Sequence, residues 1–379
     1  MKIPRVYQDL GKCLKPNKAL IIYGPRQVGK TTFAQSLIKN FRDGHPAYFN
    51  WDNPENKKKI LNGGWPSGEK LIIFDEIHKF KNWRNLVKGY FDTFRHTHQF
   101  LITGSARLDH YRKGGDSLLG RYHYFRLHPL SYPEIRLQEK ETFSLEHLLK
   151  FGGFPEPFLK GSEKELRRWH LMRKDRIIYS DIRDLENIKE ISLIELLMEA
   201  LPERVGSPLS RKNLANDLEV DFKTVENWLT ILENVYYVYR ISPYGAPKIR
   251  AVKKEQKLYL WDWSELADEG AKWENFVGSH LLKFCHYTED TQGFKMELRF
   301  LRDNDKREVD FVVLKEKKPL FAVECKTGEK KLSPHLEYFS QRTTIPIFYQ
   351  VHQGEKDYRH SEKIRIIPFS KFCQVAGLV

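Results

Sequence analysis

The sequence predicts an α/β protein of several domains, opening on a parallel sheet and closing on a second α/β unit. Three observations predict it. "ALIIYGPRQVGKTTFAQSLIKNF" (19–41) passes from a buried strand through a Gly-rich loop into a helix. "KLIIFDEIHKF" (70–80) is a second short apolar strand, ending in two acids. In the last third strands and helices alternate, and "FAVECK" (321–326) reads as a buried strand with Glu324 and Lys326 on one face.

The chain has 379 residues, enough for two or three domains with their own cores. Hydrophobic residues make up 40% and charged residues 30%, the range of a globular protein rather than a disordered one. The longest apolar runs, such as "ALII" (19–22) and "LIIF" (71–74), are strand-sized, far short of a membrane span. The stretch "MKIPRVYQDLGKCLKPNK" lacks the apolar core of a secretory signal. Cys13, Cys285, Cys325 and Cys373 are scattered without CxxC spacing, which argues for a reduced compartment and against a zinc site. A cytoplasmic protein with no membrane partner is expected. The net charge of +14 is uneven: residues 1–135 hold 23 Lys and Arg against 11 Asp and Glu, while 136–250 hold 19 against 19 and 251–379 hold 22 against 20. A basic first third attracts nucleic acid or another polyanion. A plain solvated basic surface is the competing explanation.

The loop Gly24, Pro25, Arg26, Gln27, Val28, Gly29, Lys30, Thr31, with Thr32 after it, fits G-x-x-x-x-G-K-[ST]. Its glycines let backbone N–H groups curl round phosphates, and the helix start adds its dipole. Lys30 is expected on the β- and γ-phosphates and the Thr31 hydroxyl on Mg²⁺, so ATP with Mg²⁺ is the expected ligand. The partner acids are expected on a neighbouring parallel strand, at the C-terminal edge where ligands bind. Asp75 would hold the Mg²⁺ shell, and Glu76 would orient or deprotonate the attacking water. A third strand, "QFLITGSAR" (99–107), ends in Thr103, Gly104 and Ser105. Ser105 is the candidate for sensing the γ-phosphate. Arg107, Arg112 and Arg121 follow, any of which could neutralise transition-state charge, in cis or from a neighbouring subunit.

Residues 136–200 read as helices with apolar residues near the 3.6 period, broken by the Gly- and Pro-punctuated "FGGFPEP", and are expected to form a helical lid over the nucleotide. Residues 201–250 outline a winged helix: a short helix with Leu214 and Leu218, a turn at "VDFK", a second helix with Val225, Leu229 and Leu232 inward, then the strand "YYVYRISPYG". Lys223, Thr224 and Asn227 would begin a recognition helix. The neutral local charge favours a packing role over DNA reading.

Residues 251–379 alternate. "KLYLWDW" (257–263) is a strand, and 269–287 a helix with Trp273, Phe276, Val277, His280, Leu281 and Phe284 on its buried side and Glu274 early in it. Strands follow at 296–303, 307–316 and 318–326, then a helix at 333–341 and a strand at 345–353. Asp310, between Val309 and Phe311, lies on the strand next to Glu324 and Lys326. Strands apolar on both faces are central, and ionisable residues there are costly unless they converge. Converging, Asp310 and Glu324 would bind one or two divalent metals, Mg²⁺ or Mn²⁺. Lys326 would hold or activate water, and Glu274 would add a ligand from the helix. A plain buried ion pair between Glu324 and Lys326 is the alternative.

The motifs "YGPRQVGKTT", "LIIFDEIHK", "LITGSAR", "LLGRYHYFRLHPLSYPEI" and "FGGFPEPFL" appear in the order seen in a large family of bacterial and archaeal AAA-superfamily ATPases that carry a C-terminal domain of unknown function. The resemblance covers most of the chain and places Arg121 in the family's "GR" motif, which makes it the preferred arginine. The pattern Glu274 on a helix, then Asp310, then Glu324-x-Lys326 on successive strands resembles the PD-(D/E)xK nuclease superfamily, its Holliday-junction-resolvase-like branch most of all. Together the resemblances imply four parts: an ATPase core (1–135), a lid (136–200), a winged-helix-like module (201–250) and a nuclease-like domain (251–379). They imply an ATP-regulated nuclease acting on DNA or RNA, or a nucleotide-dependent switch that engages a protein or DNA and cuts nothing. A homo-oligomer is expected if the arginine acts between subunits.

Overall fold

Five short segments of the first third pair side by side as parallel strands in this computed structural model, which describes residues 3–9, 18–104, 120–137, 143–182, 191–245 and 256–379. The strands are β1 (Ala19–Tyr23), β2 (Tyr48–Asn50), β3 (Leu71–Asp75), β4 (Gln99–Gly104) and β5 (Tyr122–Arg126), in the order β2-β3-β4-β1-β5. Between them run α1 (Lys30–Ser36), α2 (Pro54–Asn62) and α3 (Trp83–Phe94). Strands β1, β3 and β4 are apolar on both faces because helices or other strands surround them. One expectation fails: β1 and the acid-bearing β3 are not neighbours. Strand β4 lies between them, pairing Leu20 with Leu101 on one side and Ile73 with Leu101 on the other.

The described residues form two compact units, Met1–Leu130 with Phe154–Glu156, and Ser131–Gly153 with Pro157–Val379. The second unit opens with helices: α4 (Tyr132–Arg136), α5 (Leu145–Phe151), α6 (Pro155–Lys160, its first residues counted with the first unit), α7 (Glu163–Arg176) and α8 (Ile191–Ala200). Then come α9 (Arg211–Asp217) and α10 (Phe222–Asn234), each started by a side-chain cap. Ser210 accepts from the Asn213 N–H, and Asp221 from those of Lys223 and Thr224.

Strands β6 (Val238–Pro243) and β7 (Lys257–Leu260) form an antiparallel hairpin. Helix α11 (Glu269–Gln292) leads into β8 (Met296–Arg302), β9 (Glu308–Lys315), β10 (Lys318–Lys326), α12 (Pro334–Arg342), β11 (Phe348–His352), β12 (Tyr358–Arg359), β13 (Ile364–Pro368) and α13 (Phe369–Ala376). These strands make one sheet of order β12-β13-β11-β10-β9-β8-β6-β7. β6 also pairs with β8, so the β6–β7 hairpin forms the end of the C-terminal sheet.

Helix α11 is the spine beneath this sheet. Trp273, Phe276, Val277, His280 and Leu281 are buried as expected, while Phe284 is only half-buried. Burial pushes the His280 imidazole down to about 3, so it is neutral. Its Nδ1–H donates to the Phe276 carbonyl and Nε2 accepts from the Tyr132 N–H. At Gly278 the helix comes so close to the strands that a Cβ would lie 2.7 Å from the Phe311 ring and 3.0 Å from the Tyr239 hydroxyl. That close approach brings Glu274, one turn earlier, to the strand-borne acids.

Candidate functional site

The Gly-rich loop leaves the C-terminal end of β1 and turns at three positive-φ residues, Gly24 (145°), Gln27 (60°) and Gly29 (96°), before α1 begins at Lys30. A Cβ on Gly24 would collide with the backbone carbonyl of Leu127, so only glycine fits there. The buried Lys30 ammonium donates to the carbonyls of Gly24 (3.1 Å) and Pro25 (2.6 Å), closing the loop on itself.

Asp75 stands at the end of β3, almost fully buried, and four side chains converge on it. The Thr31 hydroxyl donates to Oδ2 at 2.9 Å, joining the loop to the acid-bearing strand across β4. Tyr48 (2.5 Å) and Asn50 (3.5 Å), two residues apart on β2, donate to the same oxygen. Thr103 of β4 donates to Oδ1. Burial, then the Asp75 charge, pushes the Tyr48 phenol far above its usual range, so it remains a donor. Glu76 takes a left-handed backbone (φ 58°), unusual for a glutamate and a strain of about 1 kcal/mol. Burial raises its carboxyl above the usual range, opposed chiefly by Lys30. Its Oε2 lies 3.8 Å from both Lys79 and His78.

Thr103, expected only as a strand-end residue, is an Asp75 donor. Ser105, Arg107 and Arg112 lie outside the described residues. Tyr48 and Asn50 were missed. Their signal was a period of two in the short "YFN", which ends level with Asp75 through the Asn50–Asp75 pairing.

In the second unit the four expected residues divide into two groups. Glu324 and Lys326 share one face of β10, with Nζ 2.7 Å from Glu324 Oε1. Asp310 is the next position across on β9, and its Oδ2 accepts the Cys325 N–H at 2.8 Å. The other Glu324 oxygen, Oε2, is buried without a well-formed hydrogen bond, although Ser333 stands near enough to favour the charged form. Burial, then repulsion from Asp310, pushes the Glu324 carboxyl up to about 8.

Glu274 belongs elsewhere. It packs against Gly206, accepts from the Tyr259 hydroxyl (2.7 Å) and pairs with Lys257 (3.0 Å). Lys257 also meets Glu308 and Asp310, so the expected Glu274–Asp310–Glu324 ligand set is not assembled. Among the described residues no group of three or more His, Cys, Asp and Glu is disposed to hold a metal ion. The physical reason is that a lysine ammonium already draws Glu274 to itself. Burial, then Asp310, pushes the Glu274 carboxyl up to about 7. Neither Lys257 nor Glu308 was singled out from sequence. A lysine starting the strand "KLYL" carries no periodic signal of its tertiary partners.

Residues 16–136 match the family model of an AAA domain. The first domain is an AAA-type, P-loop ATPase-like domain. Residues 142–267 and 269–372 match two domains of unknown function (DUF8612 and DUF4143). An uncharacterized protein of Methanocaldococcus jannaschii is 27% identical, covering 84% of this chain and 77% of its own length. An uncharacterized protein of Mycobacterium tuberculosis is 24% identical over 71% of this chain, which spans 63% of that protein. Among solved structures, the Thermotoga maritima RuvB Holliday junction branch migration motor aligns at 15% identity over 62% of this chain and 85% of its own, with a TM-score of 0.31. AMPPCP-bound DnaA from Aquifex aeolicus aligns at 12% identity over 60% and 87%, with a TM-score of 0.33. Superpositions this loose add nothing to what the strand order and the loop already say.

Within the AAA-type domain Arg121 sits away from the phosphate loop. Its carbonyl accepts from the Ala19 N–H, at the N-terminal edge of the sheet, and its guanidinium pairs with Asp92 of α3 at 2.8 Å. The loop leaves the opposite edge. Among the described residues no helix is long and apolar enough to cross a membrane.

Proposed function

We propose that the AAA-type domain binds ATP with Mg²⁺ and hydrolyses it, and that the C-terminal domain cleaves phosphodiester bonds of DNA or RNA with one divalent ion. The observation that carries the first half is the Thr31–Asp75 hydrogen bond, which joins the phosphate loop to the acid strand. Lys30 would move from its own loop carbonyls to the β- and γ-phosphates, and Gly24 to Thr32 would offer backbone N–H groups. Thr31 and Asp75 fit the Mg²⁺ shell, with Tyr48, Asn50 and Thr103 fixing the Asp75 carboxylate. Bound Mg²⁺ would neutralise charge on the transferring phosphoryl group. Glu76, its carboxyl made more basic by burial, would orient the attacking water and accept its proton. Arg121, at the far edge of the sheet, would reach a nucleotide only in a neighbouring copy, which implies an oligomer.

For the second half, the buried Oε2 of Glu324 beside Asp310 fits one Mg²⁺ or Mn²⁺. Mg²⁺ is commonly held by only one or two carboxylates, with water and phosphate filling its shell. The ion would polarise the phosphodiester, and Lys326 would hold the water. One observation favours the second reading, a switch that engages a protein or DNA partner without cutting. Asp310 already faces the Lys257 ammonium at 3.6 Å.

Lys30→Ala is expected to lose ATP binding, and Glu76→Gln to bind ATP but not turn it over. Undiminished affinity in Lys30→Ala would refute the nucleotide site. A cleavage assay on DNA and RNA with Mg²⁺ or Mn²⁺, with and without ATP, separates the nuclease from the switch. Activity in wild type that is lost in Lys326→Ala, with ATP turnover intact, supports the first. No cleavage under any condition supports the second.

A further inference from the structure

Lys257 is fully buried. Its Nζ lies 2.6 Å from Glu308 Oε1, 3.0 Å from Glu274 Oε1 and 3.6 Å from Asp310 Oδ1. Its ammonium also sits 5.7 Å from the centre of the Phe300 ring. Tyr259, on the same strand, donates to the Glu274 oxygen that Lys257 holds. Carboxylates from a helix and from β9 thus converge on a cation delivered by the β6–β7 hairpin. One carboxylate would suffice to neutralise a buried lysine. Arg302 holds the other Glu308 oxygen at 2.9 Å, yet three carboxylates against two cations still leave excess negative charge in a place of low dielectric, which is costly. An ammonium can draw several oxygens round one positive centre, Glu308 and Glu274 within 3.0 Å and Asp310 by charge alone at 3.6 Å, so it can stand where a metal ion would stand.

We propose that Lys257 is a built-in cation. It fills the place a divalent ion would take among Glu274, Glu308 and Asp310, and it positions Asp310 so that its other oxygen side faces Glu324. The second clause rests on reading Asp310 and Glu324 as a one-ion site. The first does not.

The test uses the full chain without nucleotide, and MnCl₂ as the only probe. Lys257→Met should melt below wild type in EDTA. Mn²⁺ should then raise its melting temperature by about 5 °C or more beyond any rise in wild type. Titration calorimetry should count one more bound ion per chain than in wild type. Lys257→Met combined with Glu308→Gln, which removes one carboxylate of the cluster, should lose most of that gain. A Mn²⁺ response in Lys257→Met no larger than in wild type overturns the proposal. So does an undiminished gain in the double variant, or failure to recover folded Lys257→Met from buffers containing Mn²⁺. Absence of any response in wild type defeats the one-ion reading of Asp310 and Glu324, while the gain in Lys257→Met still supports the stand-in role.

Discussion

Glu324 carries the clearest tension in the molecule: a buried oxygen without a well-formed hydrogen bond, a lysine on one side and an aspartate across the strand. Its carboxyl is raised from 4.5 to about 8 by burial and by Asp310. The folded chain therefore holds this proton more tightly than the unfolded chain does. The stabilisation is complete below the ordinary value of 4.5 and is lost as pH rises through about 8. Glu274, raised to about 7, acts in the same direction. In EDTA the melting temperature is expected to fall between pH 5 and pH 8.5. Glu324→Gln should remove part of that slope and gain on the order of 2–4 kcal/mol at pH 8.5, since each pKa unit is worth about 1.4 kcal/mol. Lys326 keeps 28% of its side chain in solvent, which offsets only part of the cost of losing its partner and holds the expected gain below the full shift. Melting curves across that range decide it, and an unchanged pH slope in Glu324→Gln would remove the strain argument. The shared face of Glu324 and Lys326 was legible because side chains on a strand repeat every two residues. The lysine that captures Glu274 was not, because it comes from β7, three places from β9 and four from β10 in the sheet order.

At the scale of elements, order and type were largely readable. The runs of the last third became α11 and β8 to β11, because their apolar periods of two and near 3.6 are unambiguous over such lengths. The lysine-rich turn between β9 and β10 is a two-residue hairpin loop, Glu316 and Lys317, both left-handed at 50° and 65°. Which strands pair was less readable. Nothing in "LIIF" says that β4 will stand between β3 and β1, and nothing in "VYRIS" says that β6 will join β8. Pairing is set by long-range packing, and Gly278 shows how narrowly. Gly278→Ala would gain up to about 1 kcal/mol of helix propensity. Against that, its Cβ would press at 2.7 Å on the ring of Phe311, which is fully buried and packs 5.4 Å from Tyr259. Overpacking of this kind costs about 1–3 kcal/mol, toward the upper end for a contact this short, so a net loss of up to about 2 kcal/mol is expected in denaturant melts. A variant as stable as wild type would mean that α11 can lift off the strands, and with it Glu274.

At the scale of the molecule, charge was legible and assembly was not. The surplus of Lys and Arg over Asp and Glu falls almost wholly in residues 1–135, the part that folds as the ATPase-like sheet. Composition places such a surplus but cannot say which arginine acts, because that depends on which edge of the sheet each one occupies. Arg121 occupies the edge opposite the phosphate loop. Five residues of β1 separate the two, roughly 16 Å at about 3.3 Å per residue. Within one chain it therefore serves Asp92, not phosphate. If it also completes the site of a neighbouring copy, turnover per chain should rise with protein concentration. Arg121→Ala should abolish that rise and lower kcat about tenfold or more, with ATP affinity nearly unchanged. Asp92→Ala separates this from a merely structural ion pair. It breaks the same salt bridge but leaves the guanidinium free, so a trans-acting arginine keeps or raises its turnover, whereas a structural pair fails equally from either side. Equal losses of turnover in Asp92→Ala and Arg121→Ala, or turnover per chain independent of concentration in wild type, would confine Arg121 to the fold of its own subunit.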